Sequence, residues 1–200
     1  MAKLMMTLSN GCEEIEALTV VDMLRRSGVE VVTVAVEDEV RKSRGCETSE
    51  DEITDYLICG SHNIEFFADE VDYNIEEFDF DCIVLPGGLP GTNYLRESSF
   101  VKRALDYAVA NDKYICAICA APSVLSFYGI TDGKKVTAYP GFENSQGMEK
   151  AEFVPKSVIR DGKIITASGM GLAIPFSAEI IKVLVNEKKA EDILQGIIYK

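Results

Sequence analysis

The sequence predicts an α/β domain, a mostly parallel sheet with helices on both faces. Three observations carry this reading. Short β-branched runs alternate with stretches whose apolar residues recur at helical spacing. Two strand candidates, residues 29–36 and Tyr114–Ile118, are nearly uninterrupted apolar runs, the pattern of parallel strands covered on both sides. Turn formers mark the joints: Gly28 closes a helix, and Pro86, Gly87 and Gly88 close a strand. No shift in composition, internal repeat or low-complexity tract divides the 200 residues, so residues 1–200 read as a single domain.

In chain order, residues 3–8 read as the first strand and residues 15–27 as the first helix. Ile15, Leu18, Val21 and Leu24 share the apolar face, with Asp22, Arg25 and Arg26 elsewhere. Residues 37–63 show no clear period, and residues 37–55 carry eight acids against three bases, which predicts a long acidic loop or arm. A short strand is expected at residues 64–68 and an acidic surface stretch at 69–81. Residues 82–85 form the central strand, and residues 99–111 a helix with Phe100, Val101, Ala104, Leu105 and Ala108 on one face. The strand at 114–118 leads into a helix at 122–128. Residues 160–163 turn a hairpin between strands at 157–159 and 164–167. Pro175 suits the first turn of a helix reaching about Val185, and residues 188–195 suit a last one.

The charge balance narrows the function. Lys and Arg number 20 against 33 Asp and Glu, a net charge of −13, with no basic stripe, so direct binding to nucleic acid or an anionic membrane is not expected. The longest apolar runs are far shorter than the roughly 20 residues of a membrane span. The N-terminus, with one Lys before Ser9, Asn10 and Gly11, does not read as a signal peptide. Six cysteines at positions 12, 46, 59, 82, 116 and 119 are not spaced as a disulfide framework, which suits a reducing, cytoplasmic setting. His62 is the single histidine, so a His-rich metal site is excluded and no metal or cofactor is expected.

Parallel sheets of this kind place their chemistry at the carboxyl ends of their strands. That rule selects residues 9–16, 86–91 and 119–122. At the last of these an apolar strand gives way to Cys119, Ala120, Ala121 and Pro122, the pattern of a nucleophile elbow, whose strained turn needs small neighbours, here Ala117 and Ala121. The turn would present the Cys119 sulfur at a helix N-terminus, which favours thiolate. A buried, inert cysteine is the competing reading, and the Cys116-x-x-Cys119 spacing admits a redox dithiol, disfavoured by the mid-strand position of Cys116. Among Glu13, Glu14 and Glu16, the first two are explained by the helix dipole. Glu16 lies at the edge of the buried face, where a partly desolvated acid could share a proton with a thiolate. Gly87 and Gly88 leave backbone amides open to an oxyanion.

The segments Gly11-Cys12-Glu13-Glu14-Ile15-Glu16-Ala17, Val84-Leu85-Pro86-Gly87-Gly88-Leu89-Pro90-Gly91, Ala117-Ile118-Cys119-Ala120-Ala121-Pro122 and Thr166-Ala167-Ser168-Gly169-Met170-Gly171 resemble, in order and spacing, the DJ-1/ThiJ branch of the DJ-1/ThiJ/PfpI family, within the class I glutamine amidotransferase-like group. The resemblance implies a flavodoxin-like sandwich and a homodimer. It makes Cys119 the nucleophile and redox-sensitive thiol, Glu16 its acid partner, and Gly87, Gly88 and Ala120 pocket-lining or amide-donating positions. It also implies cofactor-free glyoxalase or deglycase activity on methylglyoxal-like carbonyls or glycated adducts, alongside redox sensing and chaperone roles. Tyr139 precedes Pro140 where many members of the family have His, and it is assigned to the pocket; a phenol with a pKa of about 10 is a poor base near neutrality. The stretch after Glu37 is longer than the family's usual one. Ala120 stands where PfpI-type peptidases have His, and the second half of the chain has no His for a glutaminase triad. His62 would have to fold across from the loop to take part.

Overall fold

The computed structural model describes residues 1–36, 55–155 and 158–199. A seven-stranded sheet in the order β10-β11-β7-β6-β1-β2-β5 forms the centre, parallel except for the β10–β11 hairpin. Its strands are β1 (Lys3–Leu8), β2 (Glu30–Ala35), β5 (Glu70–Val71), β6 (Cys82–Leu85), β7 (Tyr114–Ile118), β10 (Val158–Asp161) and β11 (Ile164–Ala167). Two small ladders lie apart from it, an antiparallel one between β3 (Leu57–Cys59) and β4 (Glu65–Phe67) and a parallel one between β8 (Lys135–Val136) and β9 (Glu152–Phe153).

Alternation along the strands explains the layers. Leu4, Met6, Leu8, Cys82, Val84, Cys116 and Ile118 point to one face. There they meet α1 (Glu14–Ser27), α5 (Ala173–Leu184) and α6 (Glu187–Gly196). Met5, Ile83, Leu85, Ile115 and Ala117 point to the other face, covered by α3 (Ser99–Ala110) and α4 (Pro122–Phe127). The predicted face of α3, from Phe100 to Ala108, is the buried one. From β1 the chain builds outward to β2 and β5, then crosses to the other side through β6, β7 and β11. The strand order therefore reverses between β1 and β6, the place where open α/β sheets leave a crevice at their carboxyl ends.

Several expectations need correction. On α1 the buried residues include Glu16, Ala17, Val20, Val21, Met23 and Leu24, whereas Ile15 and Leu18 are half exposed. The helix turns Glu16 inward because its carboxyl has partners there. Of the predicted arm at 37–63, residues 37–54 lie outside the described residues; the rest contains β3, which folds back on β4 and docks on the loop after β1. Residues 69–81 are not only surface: β5 extends the sheet, Val71 and Phe80 are buried, and Asp69 accepts hydrogen bonds from the Thr33 backbone N–H and hydroxyl. The helix α2 (Gly91–Glu97) has no counterpart in the apolar spacing, since its residues carry no apolar period.

Candidate functional site

Three loops converge at the carboxyl ends of β1, β6 and β7. After β1, Gly11 and Cys12 lead into Glu13, the N-cap of α1, whose carboxylate accepts the Glu16 N–H at 2.7 Å. That cap fixes the first turn, and Glu16 is carried inward to complete burial. After β6, the Gly87 N–H donates to Glu16 Oε2 at 2.9 Å while the Gly87 carbonyl accepts the Glu13 N–H at 2.8 Å. After β7, Cys119 adopts φ +63°, a left-handed conformation that costs a non-glycine residue about 1–3 kcal/mol. Two backbone bonds hold it there: the Cys119 N–H donates to Ala167, and the Cys119 carbonyl accepts the Tyr139 N–H, each at 2.8 Å. Ala117 and Ala121, the small neighbours, are fully buried.

The glycines are demanded by proximity. A Cβ on Gly87 would stand 2.5 Å from Cys119 Cβ and 2.7 Å from Glu16 Oε2, and one on Gly88, at φ +91°, would stand 2.4 Å from the Glu13 nitrogen. The backbone of one loop thus packs directly against both the acid and the thiol.

The electrostatics couple the two groups. Burial raises the Glu16 carboxyl to about 7, against the pull of the Gly87 N–H; the Glu13 charge adds to the rise and the Cys119 thiol opposes it. Burial also pushes Cys119 up to about 12, with the charge of Glu16 and the hydrogen bond to it adding to the rise, while the amides of Ala120 and Gly88 pull it down. The expectation that the helix terminus alone would favour thiolate is therefore overturned: with Glu16 charged, the thiol keeps its proton. The balance changes when the proton sits on Glu16, because the repelling charge disappears and a donor faces the sulfur. Glu16 Oε1 is buried with no partner at full hydrogen-bond geometry, so it is the oxygen left to carry that proton.

The remaining predicted residues fall as follows. Ala120 is buried beside the sulfur, with its amide directed at it. Tyr139 reaches the site through its backbone; its ring is half exposed and packs along Gly169, and its hydroxyl makes no hydrogen bond among the described residues. Cys116 faces Cys82, with the sulfurs 3.5 Å apart, as expected of a mid-strand cysteine. His62 does not reach Cys119. It binds Glu14, which sits in the first turn as the helix-dipole reading has it but is buried. The side-chain donors of Glu13, Glu14 and His62 lie within 4.8 Å of one another, the one such group among the described residues, and Glu14 and His62 are already bound to each other and to Ser61.

The model of the DJ-1/PfpI family matches residues 2–183. The chain belongs to the DJ-1/PfpI family. It is 31% identical over 193 residues to protein dj-1beta of Drosophila melanogaster, covering 96% of this chain and 94% of that protein. It is 30% identical over 196 residues to the Parkinson disease protein 7 homolog of Danio rerio, covering 96% and 95%. Among solved structures, oxidized DJ-1 of Toxoplasma gondii superposes with a TM-score of 0.86 at 32% identity, covering 100% of this chain and 99% of that one. DJ-1beta of Drosophila melanogaster gives 0.85 at 30% identity, over 100% and 98%. These neighbours support the DJ-1/ThiJ branch and the flavodoxin-like sandwich. Among the described residues, no helix is long and apolar enough to cross a membrane.

Proposed function

We propose that this DJ-1/PfpI protein is a cysteine-dependent, cofactor-free enzyme acting on reactive carbonyls in the cytoplasm, converting methylglyoxal to lactate, with early glycation adducts as related substrates. The observation that carries this reading is the contact between a strained Cys119 and a buried Glu16 whose carboxyl is raised to about 7. An acid poised near neutrality both takes and returns protons efficiently. Transfer of the thiol proton to Glu16 frees the Cys119 sulfur to attack the aldehyde carbon, and a hemithioacetal forms. The amides of Gly88 and Ala120 are placed to stabilise its oxyanion. Glu16 returns the thiol's proton to that oxyanion and, charged again, moves a proton from the former aldehyde carbon to the neighbouring ketone carbon through an enediol, so one carbon is oxidised as the other is reduced. The lactoyl thioester is hydrolysed by water, which returns the thiol. Tyr139 supplies the backbone bond that holds the elbow, and the cycle needs no imidazole. The test is lactate formation from methylglyoxal without glutathione, expected in the wild type and lost in Cys119→Ala.

The second reading is a non-enzymatic oxidative-stress sensor or chaperone acting through oxidation of Cys119. The same two amides favour it, since they suit a sulfinate as well as an oxyanion. Mapping of oxidation by modest peroxide would support it if Cys119 is modified well ahead of the other cysteines. A homodimer belongs to either reading, with the half-exposed Ile15 and Leu18 on α1 as apolar contacts.

A further inference from the structure

The loop after β1 is held on two sides. On one side Glu13 binds Gly87 and the site. On the other it is gripped by the β3–β4 hairpin: the Gly11 N–H donates to Cys59 at 2.7 Å, the Cys59 N–H to Asn10 Oδ1 at 2.8 Å, and the Ser61 N–H to Cys12 at 2.8 Å. The hairpin turn is wrapped around one side chain, Glu14. Its carboxylate accepts the His62 N–H at 2.6 Å, lies 3.0 Å from His62 Nδ1, and accepts the Ser61 hydroxyl at 3.4 Å. The fit leaves no room for a larger residue at Gly60, where a Cβ would stand 2.2 Å from Glu14 Cγ. Glu14 is 1% exposed although charged, two residues before Glu16 in the same helical turn.

We propose that Glu14 is a positioning residue for Glu16: clasped by the turn at residues 60–64, it fixes the first turn of α1 so that the Glu16 carboxyl is held against Cys119. This rests on the reading of Cys119 and Glu16 as the reactive pair. The burial of Glu14 would raise its carboxyl, yet the bonds from the His62 side chain, its own N–H, and the N–H groups of His62 and Ile64 outweigh that and hold it below the ordinary range. Glu14 therefore stays charged and gripped across the range in which Glu16 titrates. The ionisable or polar groups facing it are His62 and Ser61 on the turn, with Cys12 and Glu13 on its own side. His62 keeps its hydrogen bond in either charge state, because a neutral imidazole can still carry its proton on Nδ1.

The test is the rate of Cys119 alkylation by iodoacetamide, followed by peptide mapping across the neutral pH range, in the wild type, Glu16→Gln, Glu14→Gln, His62→Ala and His62→Asn. The wild type is expected to show an inflection that Glu16→Gln removes. In Glu14→Gln the inflection moves to the acid side, as Glu16 gains solvent, and alkylation at neutral pH slows about tenfold, the equivalent of one charge-assisted hydrogen bond. His62→Asn, whose amide nitrogen can take the place of Nδ1, keeps the wild-type profile, and His62→Ala shifts it. A folded Glu14→Gln protein with an unmoved inflection overturns the proposal, whatever its melting temperature. Should that variant not fold, an unmoved inflection in His62→Ala does the same. A wild-type profile in Glu16→Gln would instead bring down the reactive-pair reading itself.

Discussion

A methyl group at Gly87 would overlap both Cys119 Cβ and Glu16 Oε2, at 2.5 and 2.7 Å, and neither neighbour can retreat from its own backbone anchors. Gly87→Ala is therefore expected to cost about 1–3 kcal/mol by overpacking and to abolish lactate formation; thermal unfolding and the turnover assay check the two halves. Glu16 gives a pH dependence whose sign is fixed. Its carboxyl lies at about 7 in the folded chain against an ordinary 4.5, so the folded state binds more protons than the unfolded one between those values. Its contribution to stability is fully present below the lower value and is lost as pH rises through the upper one, a loss of about 3 kcal/mol by linkage. Glu16→Gln keeps the acceptor for Gly87 and removes the charge. Its melting temperature is therefore expected to gain on the wild type as pH rises from about 5 to about 8, and a constant difference would contradict the raised carboxyl. The places of Cys119 and Glu16 at the strand ends were legible in the sequence because an elbow needs Ala117 and Ala121 and because an acid at the helix edge has few reasons to face inward. The role of Glu14 was not. Its partners, Ser61 and His62, lie 47 and 48 residues away, and a glutamate in a first turn already has a sufficient local explanation.

At the scale of the element, α1 binds sheet, site and hairpin together. Glu13→Ala removes its N-cap and is expected to cost about 1 kcal/mol, read from the denaturation midpoint, with a larger relative loss of turnover because the same carboxylate holds the Glu16 N–H. Strands β1, β2, β6 and β7 could be read from sequence because burial on both faces leaves long apolar runs. The stretch Gly91–Glu97 could not, since its Thr92, Asn93, Arg96 and Glu97 give no apolar stripe; it is helical because Thr92 and Leu95 pack inward while the Thr92 N–H and hydroxyl both bind Gly88. The buried face of α1 departs from its apolar spacing for a related reason. Ile15 and Leu18 match a helical stripe by spacing, but the inward direction is set by Glu13 and Glu16, whose hydrogen bonds outrank a modest gain in apolar burial.

Across the whole molecule, the reversal of strand order between β1 and β6 brings together loops that are more than a hundred residues apart in sequence, from Glu16 to Cys119. Strands β1, β2, β6 and β7 were legible, whereas the short β3, β5, β8 and β9 were not; with the rule that chemistry gathers at carboxyl ends, the long strands were enough to bring Glu16 to Cys119. Ile15 and Leu18, freed from the core, give the proposed dimer a checkable face: sedimentation is expected to show two chains for the wild type and one for Leu18→Asp, and an unchanged sedimentation coefficient would place the interface elsewhere. The central claim is that Cys119 and Glu16 together turn over a reactive carbonyl. The most direct measurement is lactate produced from methylglyoxal by the wild type, Cys119→Ala and Glu16→Gln, each confirmed as folded, with no glutathione present. Turnover in the wild type and its loss in both variants is the expected result; an active Cys119→Ala protein, or a wild type that makes no lactate, would contradict it.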